Sequence, residues 1–302
     1  MDILRTPDER FVDLFDYDFE PHYVEIPSGD GQSLRVHYLD EGPRDGSLIV
    51  CMHGQPSWSY LYRHMIRGFA ARGYRVVCPD LVGYGRSDKP SSVDDYSYAN
   101  LVAWMSTWLR AVDLSGIHLF CQDWGGLIGL HLVAHMPERF TSVVASNTGL
   151  PAGYTGMNPV FEQWCHFART VPEFEAGKIV SRGCVTELSD EAKAACEAPF
   201  PDESYKAACR IIPSLVPLAE EHPAVPGNRE AWEHLKRFDK PFLCAFSDSD
   251  PITAGGDRPF LKFVPGTAGQ PHTVVESAGH FVQEDASERL VTLTHDFIEA
   301  QS

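Results

Sequence analysis

Ile117-His118-Leu119-Phe120-Cys121-Gln122-Asp123-Trp124-Gly125-Gly126-Leu127-Ile128-Gly129-Leu130 decides how the rest of the chain is read. Its apolar first half predicts a buried strand, and the glycine-rich second half opens a helix at once. Asp123 stands at the junction, with Cys121 two residues before it and Gly125 two residues after. That is the layout of a nucleophile elbow, a strained strand-to-helix turn with small residues on both sides of a raised reactive side chain. The familiar form, G-x-S-x-G, carries a serine; here the raised position holds a carboxylate. Gly125 and Gly126 let the helix pack close to the strand. The helix start aims N–H groups and partial positive charge at Asp123, which favours its ionised form. Aspartate is also a common helix N-cap, so the junction alone does not separate the two readings. The rest of the chain does.

Upstream, His22–Ile26 and Ser33–Leu39 alternate in polarity around Gly29-Asp30-Gly31, which predicts a hairpin and an antiparallel start to a sheet. Strand and helix then alternate. Leu48–Met52 is an apolar strand ending in His53-Gly54-Gln55-Pro56, a helical segment lies near 59–72, and a strand follows at Tyr74–Cys78. That strand runs into the turn-rich loop Pro79–Asp88. Residues 98–112 place Leu101, Met105, Trp108, Leu109 and Val112 on one helical face, read as core packing. Beyond the opening stretch comes a strand at Ser142–Ser146. This rhythm predicts a doubly wound, mostly parallel sheet, whose sites lie at the carboxyl ends of the strands. His53-Gly54-Gln55, Asp80 and Asp123 all fall at such ends. From about Pro151 to Asn228 the rhythm breaks into helical stretches at 158–170, 189–197 and 202–211, separated by prolines. We read residues 151–228 as an inserted helical cap, and residues 1–150 with 229–302 as the core domain. Strands resume at Pro241–Phe246, ending in Ser247-Asp248-Ser249-Asp250-Pro251, and at Thr273–Val275, ending in Gly279-His280. An amphipathic helix with Leu290, Val291, Leu293, Phe297 and Ile298 follows.

The 302 residues are 43% hydrophobic and carry a formal net charge of −17. No cluster of lysine and arginine interrupts that acidity, which argues against nucleic acid or an anionic membrane as partner. No apolar run approaches the roughly 20 residues that span a bilayer. The first ten residues carry acids rather than the apolar core of a signal peptide, so a cytoplasmic protein is expected. Eight cysteines are scattered without a C-x-x-C pair, which predicts free thiols in a reducing compartment. His131 and His135, spaced i, i+4, lack the glutamate of H-E-x-x-H and read as packing or surface histidines.

Asp123, Asp250 and His280 thus follow three strands in the order nucleophile, acid, base, the chain order of an α/β-hydrolase. Asp248, two residues earlier, is the other candidate for the acid. With His53–Arg63, Pro79–Pro90, Gln122–Gly126 and Ala278–Glu284, these residues make the chain resemble a haloalkane dehalogenase of the α/β-hydrolase superfamily over nearly its whole length.

The resemblance implies hydrolysis of a small halogenated hydrocarbon by water, giving a primary alcohol, a halide ion and a proton, in a detoxifying enzyme without cofactor or metal. Asp123 would form an alkyl ester, His280 would activate water and Asp250 would orient His280. A halide leaves unprotonated, so donors suffice: the indole N–H groups of Trp124 and Trp164, which donate and cannot accept. Backbone N–H groups of Gln55 and Trp124 would form the oxyanion hole. Gln55 stands where the family usually has Glu or Asn, which leaves its side chain without an assigned contact. Phe161, Ile212, Pro213, Val216 and Ile252 are the expected pocket residues, and a monomer is the expected state. The competing reading is an epoxide hydrolase with the same aspartate nucleophile, which needs paired cap tyrosines; the cap offers Tyr154 and Tyr205.

Overall fold

A computed structural model describes residues 1–154 and 159–301. Its main sheet has eight strands: β1 (His22–Pro27), β2 (Ser33–Glu41), β3 (Leu48–Met52), β4 (Arg75–Pro79), β5 (Ile117–Gln122), β6 (Phe140–Ser146), β7 (Phe242–Ser247) and β8 (Thr273–Val275). They lie in the order β1-β2-β4-β3-β5-β6-β7-β8. The hairpin β1–β2 and the β2–β4 pair are antiparallel, and every other pairing is parallel. Every residue of β3 and β5 is buried, as expected of central strands covered on both faces. A two-residue ribbon, Ile3–Leu4 against Lys89–Pro90, ties the N-terminal segment to the loop after β4.

Helices α1 (Arg63–Ala70), α2 (Tyr98–Ala111) and α3 (Trp124–His135) follow β3, β4 and β5 respectively. The segment near 59–72 is thus a 3-10 turn, Ser59–Tyr62, running into α1. Helix α3 is buried from Trp124 to Ala134, the signature of a helix packed on all sides. Between β6 and β7 the described residues form helices and no strand: α4 (Pro159–Thr170), α5 (Ala176–Arg182), α6 (Asp190–Glu197), α7 (Ala207–Ile211) and α8 (Val225–Leu235). Position 158, the expected start of α4, lies outside the described residues. The stretch 202–211 splits into a 3-10 turn at Glu203–Lys206 and the short α7. Helix α8 crosses the expected domain boundary between residues 228 and 229. After β7 come α9 (Asp257–Phe263) and, beyond β8, α10 (Val282–Glu299). This is the α/β-hydrolase arrangement with helices inserted after β6. No described helix is long and apolar enough to cross a membrane.

β3 and β5 are neighbours, and their onward connections run in opposite directions, from β3 to β4 on one side and from β5 to β6 on the other. The crevice at the carboxyl ends of β3 and β5 is therefore the topological switch point, where open α/β sheets place their sites. Met52 and Cys121 are register partners there, which sets His53-Gly54-Gln55 beside Asp123.

Candidate active site

Asp123 takes φ 52° and ψ −127°, a backbone conformation that costs a residue with a Cβ and is held only by its surroundings. Asp123 N–H donates to the Asn147 carbonyl at 3.0 Å, and its own carbonyl accepts from Gly126 N–H, Leu127 N–H and Thr148 Oγ1. The glycines around it answer to close approach. A Cβ on Gly54 would lie 2.1 Å from Asp123 Oδ1, and one on Gly125 would lie 2.0 Å from the Met52 carbonyl oxygen. The elbow predicted from sequence is thus formed, with its side chain lifted clear of β5.

Asp123 Oδ1 accepts from the Gln55 N–H at 2.8 Å, and Oδ2 lies 3.4 Å from His280 Nε2. On the other side of the ring, His280 Nδ1 is 2.9 Å from Asp250 Oδ2. Asp250 is itself held by the Ile252 N–H at 2.8 Å and by the Thr253 hydroxyl. Asp248, the other candidate acid, turns away: it accepts from Ser277 N–H and Ala278 N–H and pins the end of β8 to β7. Burial works against charge on both His280 and Asp250, and their mutual attraction overcomes it. Asp250 is held below its usual range by the imidazolium. Asp250 and Asp123 together push His280 up to about 10.

Three further residues fix this cluster, and the sequence assigned a role to none of them. Gln122 Nε2 donates to the His280 carbonyl at 3.0 Å and lies 3.2 Å from His280 Nε2. Asn147 Nδ2 reaches the carbonyls of Gly279 and His280 at 2.9 and 3.0 Å, and Asn147 Oδ1 accepts from Ser247 N–H. Thr148 bonds the nucleophile's carbonyl. Position was the available signal: each sits at the carboxyl end of β5 or β6, where the triad's loops converge. His53 and Asp80, also at strand ends, serve the scaffold. His53 Nε2 accepts from Leu81 N–H at 2.9 Å, while buried Asp80 accepts from His37, Ser59 N–H and Arg86 N–H.

A mostly apolar cavity of about 1240 Å³ opens over Asp123 and His280. Trp124 and Trp164 line it from α3 and α4. Trp124 is buried against the Tyr98 ring, and Trp164 is half-buried between Phe167 and Phe174. Among the described residues, neither indole N–H has a protein partner. Phe161, Pro213, Val216 and Ile252 also line the cavity, as expected. Ile212 does not: it is 1% exposed and packs into the core, because the 3-10 turn Ile212–Leu215 sends Pro213 to the cavity side and its neighbour inward. The Gln55 side chain reaches the cavity wall with both amide atoms buried and unpaired. The Trp124 N–H makes no hydrogen bond to the Asp123 carboxylate, so Gln55 alone of the two expected backbone donors engages it.

Comparison with known proteins gives the family. Residues 47–182 match the family model described as alpha/beta hydrolase fold. A haloalkane dehalogenase of Psychrobacter cryohalolentis is 52% identical over 298 residues, covering 99% of this chain and 98% of that one. One from Mycolicibacterium paratuberculosis is 49% identical, covering 96% of each. Among solved structures, the tetrameric haloalkane dehalogenase DpaA from Paraglaciecola agarilytica NO2 superposes with a TM-score of 0.89 at 33% identity, covering 99% of both chains. With half its residues shared along nearly its full length, the chain belongs to the haloalkane dehalogenase family.

Proposed function

We propose that this protein hydrolyses haloalkanes to a primary alcohol, halide and a proton through a covalent ester on Asp123. The observation that carries the reading is His280 set between Asp123 and Asp250 beneath an apolar cavity lined by Trp124 and Trp164, whose indole N–H groups have no partner among the described residues. Asp123 Oδ2 attacks the halogen-bearing carbon, and the halide departs with its electron pair into the indole donors of Trp124 and Trp164. Residues 151–228 act as the cap that supplies Trp164 and closes the apolar side of the pocket. His280 then takes a proton from water, whose oxygen attacks Cγ of the ester. Negative charge collects on Oδ1, where the Gln55 N–H already lies at 2.8 Å. Collapse of that intermediate breaks the bond between Cγ and the alkoxy oxygen, His280 returns its proton to that oxygen to free the alcohol, and the acid left on Asp123 loses the second proton of the water to restore the carboxylate.

The order of the two steps is supported by electrostatics. While Asp123 is an anion, it helps to hold His280 protonated, with its pKa up to about 10. Alkylation removes that charge, which weakens the hold on the imidazolium proton and makes His280 a base once there is an ester to hydrolyse. The epoxide alternative needs a pair of phenols over the nucleophile. Tyr154 is 77% exposed with Arg229 against its ring, and Tyr205 does not line the cavity.

Halide release from 1-bromobutane and 1,2-dibromoethane tests the proposal, with styrene oxide as control substrate. Wild type releases halide, Asp123→Asn does not, and Trp164→Phe is slowed. A wild type that turns styrene oxide into diol and releases no halide overturns the reading.

A further inference from the structure

At the end of α3 remote from Asp123, His135 closes that helix, His234 stands in the last turn of α8, and Glu230 lies one turn earlier on α8. One ligating atom of each lies within 4.8 Å of the other two. The two imidazole rings have centroids 5.2 Å apart at an interplanar angle of 57°. The sequence pairs His135 with His131 at i, i+4, but the fold separates their tasks. His131 is buried, its Nε2 lies 2.8 Å from Asn228 Oδ1, and its ring stacks on His135 at 5.7 Å. His131 is thus a satisfied packing histidine, whereas His135 meets its partners on α8.

We infer that His135, Glu230 and His234 bind a divalent transition-metal cation of the zinc type, bridging α3 to α8. Two imidazoles and one carboxylate form the three-ligand set that holds such ions with a fourth position left to water, and this set discriminates against magnesium and calcium, which prefer oxygen alone. In a tetrahedral zinc site the ligand atoms stand about 3.3 Å apart. His135 and Glu230 are exposed and His234 is half-exposed, so their side chains can close the remaining distance by turning. A second feature favours a cation at this spot. Both histidines occupy the last turns of their helices, and α3 and α8 pack along one another. Two partially negative helix ends therefore converge on the site.

The site takes no part in the ester chemistry. Helix α3 runs twelve residues from Trp124 to His135, so the cation would sit roughly 17 Å from the nucleophile. Its consequence is mechanical. Arg229, Glu230, Trp232 and Glu233 of α8 all line the cavity, so a cation on Glu230 and His234 anchors this stretch of pocket wall to the elbow helix.

The test uses full-length protein without added histidines, stripped of metal with a chelator. Titration with zinc chloride, followed by calorimetry, should give one ion per chain. A melting scan at a hundredfold excess over Kd should show a rise of roughly 5 °C. Cobalt chloride should give the visible absorption band of a low-coordinate site. His135→Ala and His234→Ala should each weaken zinc binding by about tenfold or more and lose the cobalt band, while their metal-free melting temperatures show them folded. Zinc binding that is equal in wild type and both variants, or that does not saturate in wild type, overturns the inference.

Discussion

Asp123 keeps its left-handed backbone because both of its own backbone polar groups are occupied: Asn147 takes its N–H, and Thr148 and two amides of α3 take its carbonyl. The same residues reach across to the base, since Asn147 Nδ2 holds the Gly279 and His280 carbonyls. Asn147 is therefore a positioning residue for nucleophile and base together. Asn147→Ala should lower kcat roughly tenfold to a hundredfold with a smaller change in KM, because the reacting groups lose alignment while the cavity keeps its walls. Steady-state kinetics on 1-bromobutane checks this. His280 offers a second measurement. Its folded-state pKa, raised to about 10, exceeds the value near 6.5 of an unfolded histidine, so its contribution to stability is complete below about 6.5 and is lost as pH climbs through about 10. The stability gap between wild type and His280→Phe, read from urea midpoints, should narrow steadily from pH 7 to pH 10. A gap that widens over that range contradicts the assignment of the ion pair.

At the scale of elements, the elbow depends on how closely α3 approaches β3. A methyl group on Gly125 meets the Met52 carbonyl and one on Gly126 meets Thr148 Oγ1. Gly125→Ala should destabilise the protein by about 1–3 kcal/mol in urea unfolding and suppress halide release, because backbone rather than a mobile side chain must give way. The sequence made these elements legible where local pattern governs. Apolar runs marked the buried strands, and the Gly-Gly after Asp123 marked the tight turn. Asp250 and His280 were legible because each ends a strand, and strand ends meet at the switch point. Legibility failed where contact partners lie far apart in sequence. Gln122 is read as one more strand residue until His280, 158 positions later, comes to lie against it. Ile212 and Pro213 are adjacent apolar residues, and only the 3-10 turn decides which faces the cavity. Helix α8 opens with a proline and has mixed composition, so its place follows from packing on α3 rather than from periodicity.

Across the whole molecule, α1 and α10 are locked together by Arg63 and Glu284. Arg63, at the start of α1, is 3% exposed; its guanidinium donates to Glu284 of α10 and rests on the Tyr60 ring at 4.0 Å. Glu284→Ala would leave the buried guanidinium only the longer contact to the partly exposed Asp16 at 3.7 Å and should cost about 3 kcal/mol in urea unfolding. Because neither Arg63 nor Glu284 lines the cavity, halide release measured well below the new melting point should keep its KM.

The triad's dispersal over three strands also sets when the protein can first act during its synthesis. A ribosome adds Asp123 and reaches His280 roughly 150 residues later, on the order of ten to thirty seconds afterwards. On the proposed mechanism, a nascent chain in that interval would hold the nucleophile without the base that renews it. A translation product stopped short of His280 would at most be alkylated once, whereas a chain that has passed it would turn over. Repeated halide release would then be a property that emerges late in translation, with the closing of β8 onto β7.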